Sequence, residues 1–216
     1  MILVAACPGG NISNFISSLA KANVALSITI TSITSLLAVL FTPLNFSFYG
    51  GLYGPAAQIL REVSLDWIDV ISTIGGIIIL PLIVGIYFRK MWPGLALKFA
   101  KPLERLSMLL FLLIVIGALF SNLEYFKECV AAVFLLVLIH NAVALTTGYS
   151  LGKFFGFDFK DKKSLAIETG IQNSGLGLLL IFSFFEGLGG MAIVTAWWGI
   201  WHILSGFTLA YIWRHD

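Results

Sequence analysis

Glu168 is the residue best suited to chemistry, because it opens a stretch that contains no other charged side chain until Glu186. A carboxylate at membrane depth costs about 2.5–3.5 kcal/mol and usually marks a path for ions or protons. Gln172 and Asn173 follow four and five residues later and add amide groups. The simpler interpretation is that Glu168 lies close enough to the membrane surface to be hydrated, or that it caps a helix.

Ser27 and Thr31 supply hydroxyl groups on one face of a predicted helix, because residues four apart are neighbours on its surface. Hydroxyl and carbonyl oxygens are the ligands that a hard cation such as Na⁺ prefers. A set of oxygen ligands for Na⁺ is therefore predicted from Ser13, Asn14, Ser27, Thr31 and Glu168. Each hydroxyl taken singly has an ordinary structural role as well, the bond to the carbonyl four residues earlier.

Further polar residues carry weaker signals. His202, in the middle of the last apolar segment, is suited equally to contacting a substrate and to a structural hydrogen bond, whereas His140 and Asn141 are predicted to be structural. Neither the spacing of Cys7 and Cys129 nor any other pattern indicates a disulfide framework or a metal cluster. Nucleophile–base pairs and nucleotide-binding motifs are also lacking, so no enzymatic activity is expected.

The elements that position these residues are predicted to be membrane-spanning helices. Of the 216 residues, 59% are hydrophobic and 11% charged, and the mean hydropathy is +0.97. This composition excludes an ordinary soluble domain. Six segments without Asp, Glu, Lys or Arg are each close to the length that a bilayer requires: 23–41, 70–88, 106–123, 129–152, 169–185 and 187–213.

The distribution of positive charge predicts the orientation in the membrane. Counted over alternate connections, eleven Lys and Arg residues fall on one side, and Arg61 and Lys127 on the other. The positive-inside rule places the richer side, with the C-terminus, in the cytoplasm and the 42–68 connection outside. We expect a multi-pass protein of the cell (plasma) membrane.

Two connections and two interruptions complete the pattern. The connection 42–69 is predicted to be a loop followed by a short interfacial helix at "REVSLDWID", and "KMWPGLALKFAKPLER" a basic cytoplasmic loop. The octets "CPGGNISN" and "ETGIQNSG" each interrupt apolar sequence with Gly and polar residues. Two broken segments in corresponding positions are typical of the binding site in transporters built from inverted repeats.

These motifs identify a resemblance to a known family. "CPGGNISN", followed by "NVALSITITSITSLLAVLFTP", "LAIETGIQNSGLGLLL" and "GIWHILSG", resembles the bile acid:sodium symporter family, including its bacterial members, over essentially the whole chain. The resemblance implies an all-α polytopic membrane protein with ten helices in two inverted repeats, of which the fourth and ninth are broken and cross.

By this resemblance the chain would begin inside the fourth helix and would be N-terminally truncated, without the first three helices. It would form a single transmembrane domain, 1–216. Residues 1–41 and 127–213 would supply helices 4, 5, 8, 9 and 10 of the core domain, and 69–121 would supply helices 6 and 7 of the panel domain.

The resemblance also implies roles for site residues. One sodium site would use Ser13, Asn14, Ser27, Thr31 and Glu168. A second would use Glu168, the main-chain carbonyls of Thr169 and Ile171, and Gln172, together with a glutamine of the third helix. Substrate contacts would fall on Asn11, Asn173 and His202.

The expected function is sodium-coupled symport of an organic anion, bile-acid-like or a smaller carboxylate. Na⁺ is the expected coupling ion, with two ions expected per complete protein. Some family members have Thr at the position of Asn11 and Asn at the position of Ile203, and these differences leave the substrate open. Besides the anion the partner is the lipid bilayer, nucleic acid is not expected, and the oligomeric state stays open. The alternatives are a non-transporting or partner-dependent truncated product, and an exporter of arsenite or another anion that uses Cys7.

Overall fold

The described part of the chain folds almost entirely into helices. The computed structural model describes residues 1–63, 67–121 and 123–215. Its helices are α1 (Ile2–Ala6), α2 (Ile12–Leu19), α3 (Val24–Leu52), α4 (Gly54–Val63), α5 (Trp67–Met91), α6 (Pro93–Ser121), α7 (Leu123–Phe154), α8 (Phe159–Gly170), α9 (Ser174–Phe184) and α10 (Gly189–Trp213).

Four helices in the described ranges are long and apolar enough to span a membrane: Val24–Leu52, Ile68–Met91, Ala131–Phe154 and Gly189–Trp213. Helices satisfy their own backbone hydrogen bonds, which is the requirement for crossing hydrocarbon. The prediction of an all-α multi-pass membrane protein is confirmed. Of the other two predicted spans, 106–123 overlaps α6 but includes Asn122, outside the described residues, and 169–185 is divided between α8 and α9.

The predicted connections were wrong in extent. Helix α3 continues through Pro43 to Leu52, and the short helix is Gly54–Val63 rather than "REVSLDWID", of which residues 64–66 lie outside the described part. The basic loop is largely the start of α6, with Pro93 as its first residue. Proline suits the first turn of a helix because no hydrogen-bond donor is needed there. Charged, Gly and Pro residues had indicated loops here, but these residues lie in helices that extend beyond their apolar segments.

Apolar side chains from distant parts of the sequence hold the two broken helices in place. Leu3 and Cys7 belong to a buried cluster with residues of α3, α5 and α9, and Val4 packs with residues of α7 and α10. Beyond the first interruption, Ile16 and Ala20 of α2 pack against Ile167 and Ile171 of the second broken helix. Burial on both sides of each interruption fixes the position of the polar segments between them.

One end of the molecule gathers the basic connections. The backbone N–H of Asn23 donates to the Lys160 carbonyl over 3.3 Å, and the Lys163 ammonium donates to the carbonyls of Ala20 (3.3 Å) and Trp213 (2.7 Å). These contacts place the C-terminal ends of α2 and α10 beside the beginning of α8. A cation at helix C-termini is favourable because the carbonyl ends carry partial negative charge.

Candidate functional site

The two interruptions cross and pair with each other. The Gly10 N–H donates to the Ile171 carbonyl, and the Asn173 N–H donates to the Pro8 carbonyl, each over 2.8 Å. An unwound backbone in an apolar environment needs such partners, because an unpaired peptide group there costs several kcal/mol, about 4–8 on the harshest scale. The interruptions are therefore one structural unit, and neither is a loop exposed to lipid.

Glycine is required where the two segments approach. A Cβ atom on Gly9 would lie 2.9 Å from Oε2 of Glu168, and one on Gly10 would lie 3.0 Å from the carbonyl oxygen of Gln172. Both distances are shorter than ordinary van der Waals contact. The Gly-Gly pair of "CPGGNISN" thus allows the first segment to lie directly against Glu168 and the second segment.

The crossing also brings together the beginnings of two half-helices. Asn11 precedes α2, and Asn173 precedes α9, where its side-chain oxygen accepts from the Leu176 N–H over 3.0 Å. The Asn11 side chain is exposed and makes no capping bond. Helix N-termini carry partial positive charge and unpaired N–H groups, which favour an anion.

Glu168 lies at the centre of a buried group of oxygen atoms. Its side chain is 5% exposed. The Ser13 hydroxyl donates to Oε1 over 2.6 Å, the Ser27 hydroxyl donates to the same atom, and the Thr31 hydroxyl donates to Oε2 over 2.8 Å. Hydroxyls from α2 and α3 therefore converge on one carboxylate of α8.

Asn14 adds a further oxygen to this group. Its Oδ1 lies 3.0 Å from the Ser27 hydroxyl and 3.3 Å from the Thr31 hydroxyl, so all five residues of the predicted first sodium site lie together. We call Ser13, Asn14, Ser27, Thr31 and Glu168 the oxygen cage. Thr31 also lies 3.0 Å from the Ser27 carbonyl, which is the structural bond expected of a lone hydroxyl.

The three hydroxyls of the oxygen cage face more acceptors than they have protons to donate. Each hydroxyl carries one proton, yet the three hydroxyls face both carboxylate oxygens, the Asn14 amide oxygen and the Ser27 carbonyl. Among the residues that the structure describes, Glu168 makes no ion pair with a Lys, Arg or His side chain. An ionised carboxylate with surplus acceptors and no cationic partner is chemically suited to binding a monovalent cation.

The residues predicted for a second site are arranged differently. The Gln172 side-chain amide donates to the Thr169 carbonyl over 2.7 Å, while the Ile171 carbonyl accepts from Gly10. Thr169 and Gln172 are half-buried and line a surface groove of about 400 Å³ beside Glu168. Glu168 is the residue that borders both this group and the oxygen cage.

His202 does not join the predicted substrate contacts by a hydrogen bond in the described chain. It is 3% exposed and packs edge-on against Trp198, with ring centroids 6.4 Å apart. Its Nδ1 atom has no hydrogen-bond partner among the described residues. Asn11 and Asn173, by contrast, flank the crossing directly.

Asn141 has a structural role, as the sequence predicted, and it acts on the end of α8. Its side chain is 1% exposed, and its amide donates to the carbonyl of Gly170, the last residue of α8, over 2.8 Å. The Ser205 hydroxyl of α10 donates to its Oδ1 over 2.6 Å. Asn141 thus holds the end of the half-helix that carries Glu168. The available signal was an amide inside an otherwise apolar span.

Comparison with known proteins agrees with this geometry. The model of the Sodium Bile acid symporter family matches residues 1–129. The chain belongs to this family. The predicted resemblance is confirmed, and the expectation that the protein is a transporter-family member and not an enzyme agrees with it.

Relatives match almost the whole chain. A sodium-dependent transporter of Bacillus subtilis (strain 168), YocS, is 35% identical over 213 residues, which cover 99% of this chain and 63% of YocS. The probable sodium/metabolite cotransporter BASS1 of Arabidopsis thaliana is 28% identical over 218 residues, or 100% of this chain and 51% of that protein. The sodium/bile acid cotransporter 5 of Mus musculus is 30% identical over 163 residues, which cover 76% of this chain and 36% of that protein. The chain thus spans between about a third and two thirds of these proteins.

Proposed function

We propose that this protein is a sodium-coupled symporter of an organic anion that works by alternating access. The observation that carries the proposal is the buried Glu168 carboxylate, which three hydroxyls from α2 and α3 surround without an ion-paired cation among the described residues. The names of these three relatives also share a dependence on sodium.

The first sodium ion would bind within the oxygen cage. Binding would let the hydroxyls turn their lone pairs to the ion and would compensate the Glu168 charge. Because the cage includes α2, α3 and α8, an ion there would tie both broken helices to a continuous one. We expect this to favour one arrangement of the crossing, which is the differential binding that coupling requires.

A second ion would bind beside the first at Glu168, the carbonyls of Thr169 and Ile171, and the Gln172 side chain. This group contributes fewer side-chain oxygens than the cage, and its half-buried members border a groove. We therefore propose that the second ion binds more weakly in this chain.

The organic anion would bind at the crossing, near Asn11 and Asn173, where the N-termini of α2 and α9 meet. Half-helix N-termini aimed at an anionic group are a known device for anion binding in transporters. We also propose that His202 contacts the anion, which requires its buried side chain to move toward the crossing. Export of a metalloid through Cys7 has no such support, since Cys7 packs within an apolar cluster. We place the protein in the plasma membrane with its C-terminus in the cytoplasm.

The proposal is tested with the full chain reconstituted in liposomes that contain ²²Na⁺. Small carboxylates and bile-acid-like anions are added singly, and sodium flux is measured, so that the anion needs no label. A symported anion should raise the flux in a saturable manner. If no ²²Na⁺ binds saturably to the protein and no anion changes its flux, the proposal is wrong.

A further inference from the structure

Ser17 is a buried polar residue that the oxygen cage does not use. Its side chain is 0% exposed, and its hydroxyl has no hydrogen-bond partner among the described residues. A buried serine on a helix usually donates to the carbonyl four residues earlier, but Ser17 does not do so. Buried hydroxyls without any partner are uncommon, and each one calls for an explanation.

Helical spacing predicts which residues lie at the level of Ser17. Ser17 lies one turn beyond Ser13 on α2, and Ser13 contacts Glu168 of α8. Because α2 runs away from the crossing while α8 runs toward it, the matching position on α8 is one turn before Glu168, which is Ser164. The two helices also share an apolar cluster, which contains Ile16 of α2 and Ile167 of α8.

The third helix repeats the same two levels. Ser27 of α3 contacts Glu168, and Asn23, four residues earlier, contacts Ser164, whose hydroxyl donates to the Asn23 carbonyl over 2.8 Å. Asn23 and Ser164 therefore form a second polar level one turn below the oxygen cage, and helical spacing puts Ser17 at the same level. We call these three residues the lower level.

The lower level leads to the surface at the basic end of the molecule. The Asn23 amide donates to the half-buried carboxylate of Asp161 over 2.8 Å. The Lys163 ammonium is fixed to the carbonyls of Ala20 and Trp213, on the side of α2 that packs against α10. Polar residues thus follow one another from Glu168 through the lower level to the half-buried Asp161.

We propose that the lower level is a transient sodium site on the route between the oxygen cage and this end of the protein. The unpartnered Ser17 hydroxyl would bind the ion as it leaves the cage, together with the Ser164 hydroxyl and the Asn23 carbonyl. This inference rests on the proposed sodium site. It adds a route for sodium and a residue, Ser17, that controls how fast the ion passes. It adds no site at which an ion stays bound at equilibrium.

A route residue and a cage residue have different kinetic signatures. Removal of a route ligand raises the barrier for entry and exit alike, so both rates fall while the equilibrium affinity is unchanged. Removal of a cage ligand changes the affinity itself. In Ser17→Ala we expect sodium association and dissociation rates to fall together, by about tenfold. Ser18→Ala, at the exposed neighbouring position, is the matched control and should leave both rates unchanged.

The experiment uses the purified full chain, sodium-jump stopped-flow fluorescence of its tryptophans, and equilibrium ²²Na⁺ binding. Equal slowing of both rates with unchanged affinity, in Ser17→Ala and in Ser164→Ala, supports the route. Unchanged rates in Ser17→Ala overturn it, and so does a loss of affinity as large as that of Ser13→Ala. Absence of sodium binding in the unmodified protein would instead overturn the proposed function itself.

Discussion

The oxygen cage and the Thr169–Gln172 group share Glu168 but differ in how completely they are enclosed. The cage takes side chains from α2, α3 and α8, and its members hydrogen-bond to one another. The Thr169–Gln172 group comes from one interrupted helix and borders a groove. The difference supports the proposal that the cage, which three elements enclose and which supplies more side-chain oxygens, holds an ion more tightly than the Thr169–Gln172 group.

The largest expected effect is that of Glu168→Gln, which removes the charge that the two regions share. The remaining amide keeps the size of the side chain but no longer attracts a cation. We expect sodium affinity to fall by at least about a hundredfold, because loss of one member of a buried charge pair costs about 3–5 kcal/mol. Equilibrium ²²Na⁺ binding measures this. Glu186→Gln, an exposed carboxylate outside both regions, is the control and should bind as before.

Gly9→Ala should have the next largest effect, because the added methyl group would lie 2.9 Å from Oε2 of Glu168. The carboxylate or the crossing must move, so both regions are disturbed at once. A fall in sodium affinity of about tenfold or more is expected, since small misplacements at preorganised sites cost this much. Gly76→Ala, with open space around it, is the matched control. Equal sodium binding by the two variants would mean that the crossing is not part of the site.

A third comparison separates the two regions. Ser27→Ala removes a cage hydroxyl and should weaken the tighter sodium ion by about tenfold. Gln172→Ala should change the affinity for that ion by no more than about twofold. It should reduce only the weaker component of the binding curve. The readout is a sodium titration of thermal stability and of ²²Na⁺ binding. The assignment of two regions is wrong if the two variants lower the same component equally.

Local sequence signals pointed to three members of the oxygen cage, and their binding of sodium stays a prediction. Glu168 is isolated in an apolar stretch, and Ser27 and Thr31 have helical spacing. The sequence also marked both interruptions through Gly, Pro and amide residues. That the two interruptions cross was implied by the family resemblance.

Other features were not predictable, because they depend on tertiary contacts. Helix α3 continues to Leu52 although Pro43 lies inside it, and Pro43 is buried. The bond of Asn141 to Gly170 joins residues 29 positions apart, and no local pattern announces it. His202 was predicted from its position in a span, but its ring packs edge-on against Trp198 of the same helix.

The smallest expected effect is that of substitutions at Asn141, which supports the site but lies outside it. Asn141→Leu would leave the Gly170 carbonyl without its donor, and we expect a loss of about 1–3 kcal/mol in stability. Thermal unfolding in detergent measures the loss. Ser205→Ala removes one of Asn141's partners and leaves its bond to Gly170 in place, so its effect should be smaller. A larger effect for Ser205→Ala would contradict the supporting role of Asn141.

The most direct test of the central claim is to locate the ion. Thallium(I), a monovalent cation with strong anomalous scattering, can replace sodium during crystallisation of the full chain. The account predicts an anomalous peak among the oxygens of Ser13, Asn14, Ser27, Thr31 and Glu168, which competing sodium reduces. A peak confined to other residues, or none under conditions where the protein binds ²²Na⁺, would contradict the oxygen cage as the sodium site.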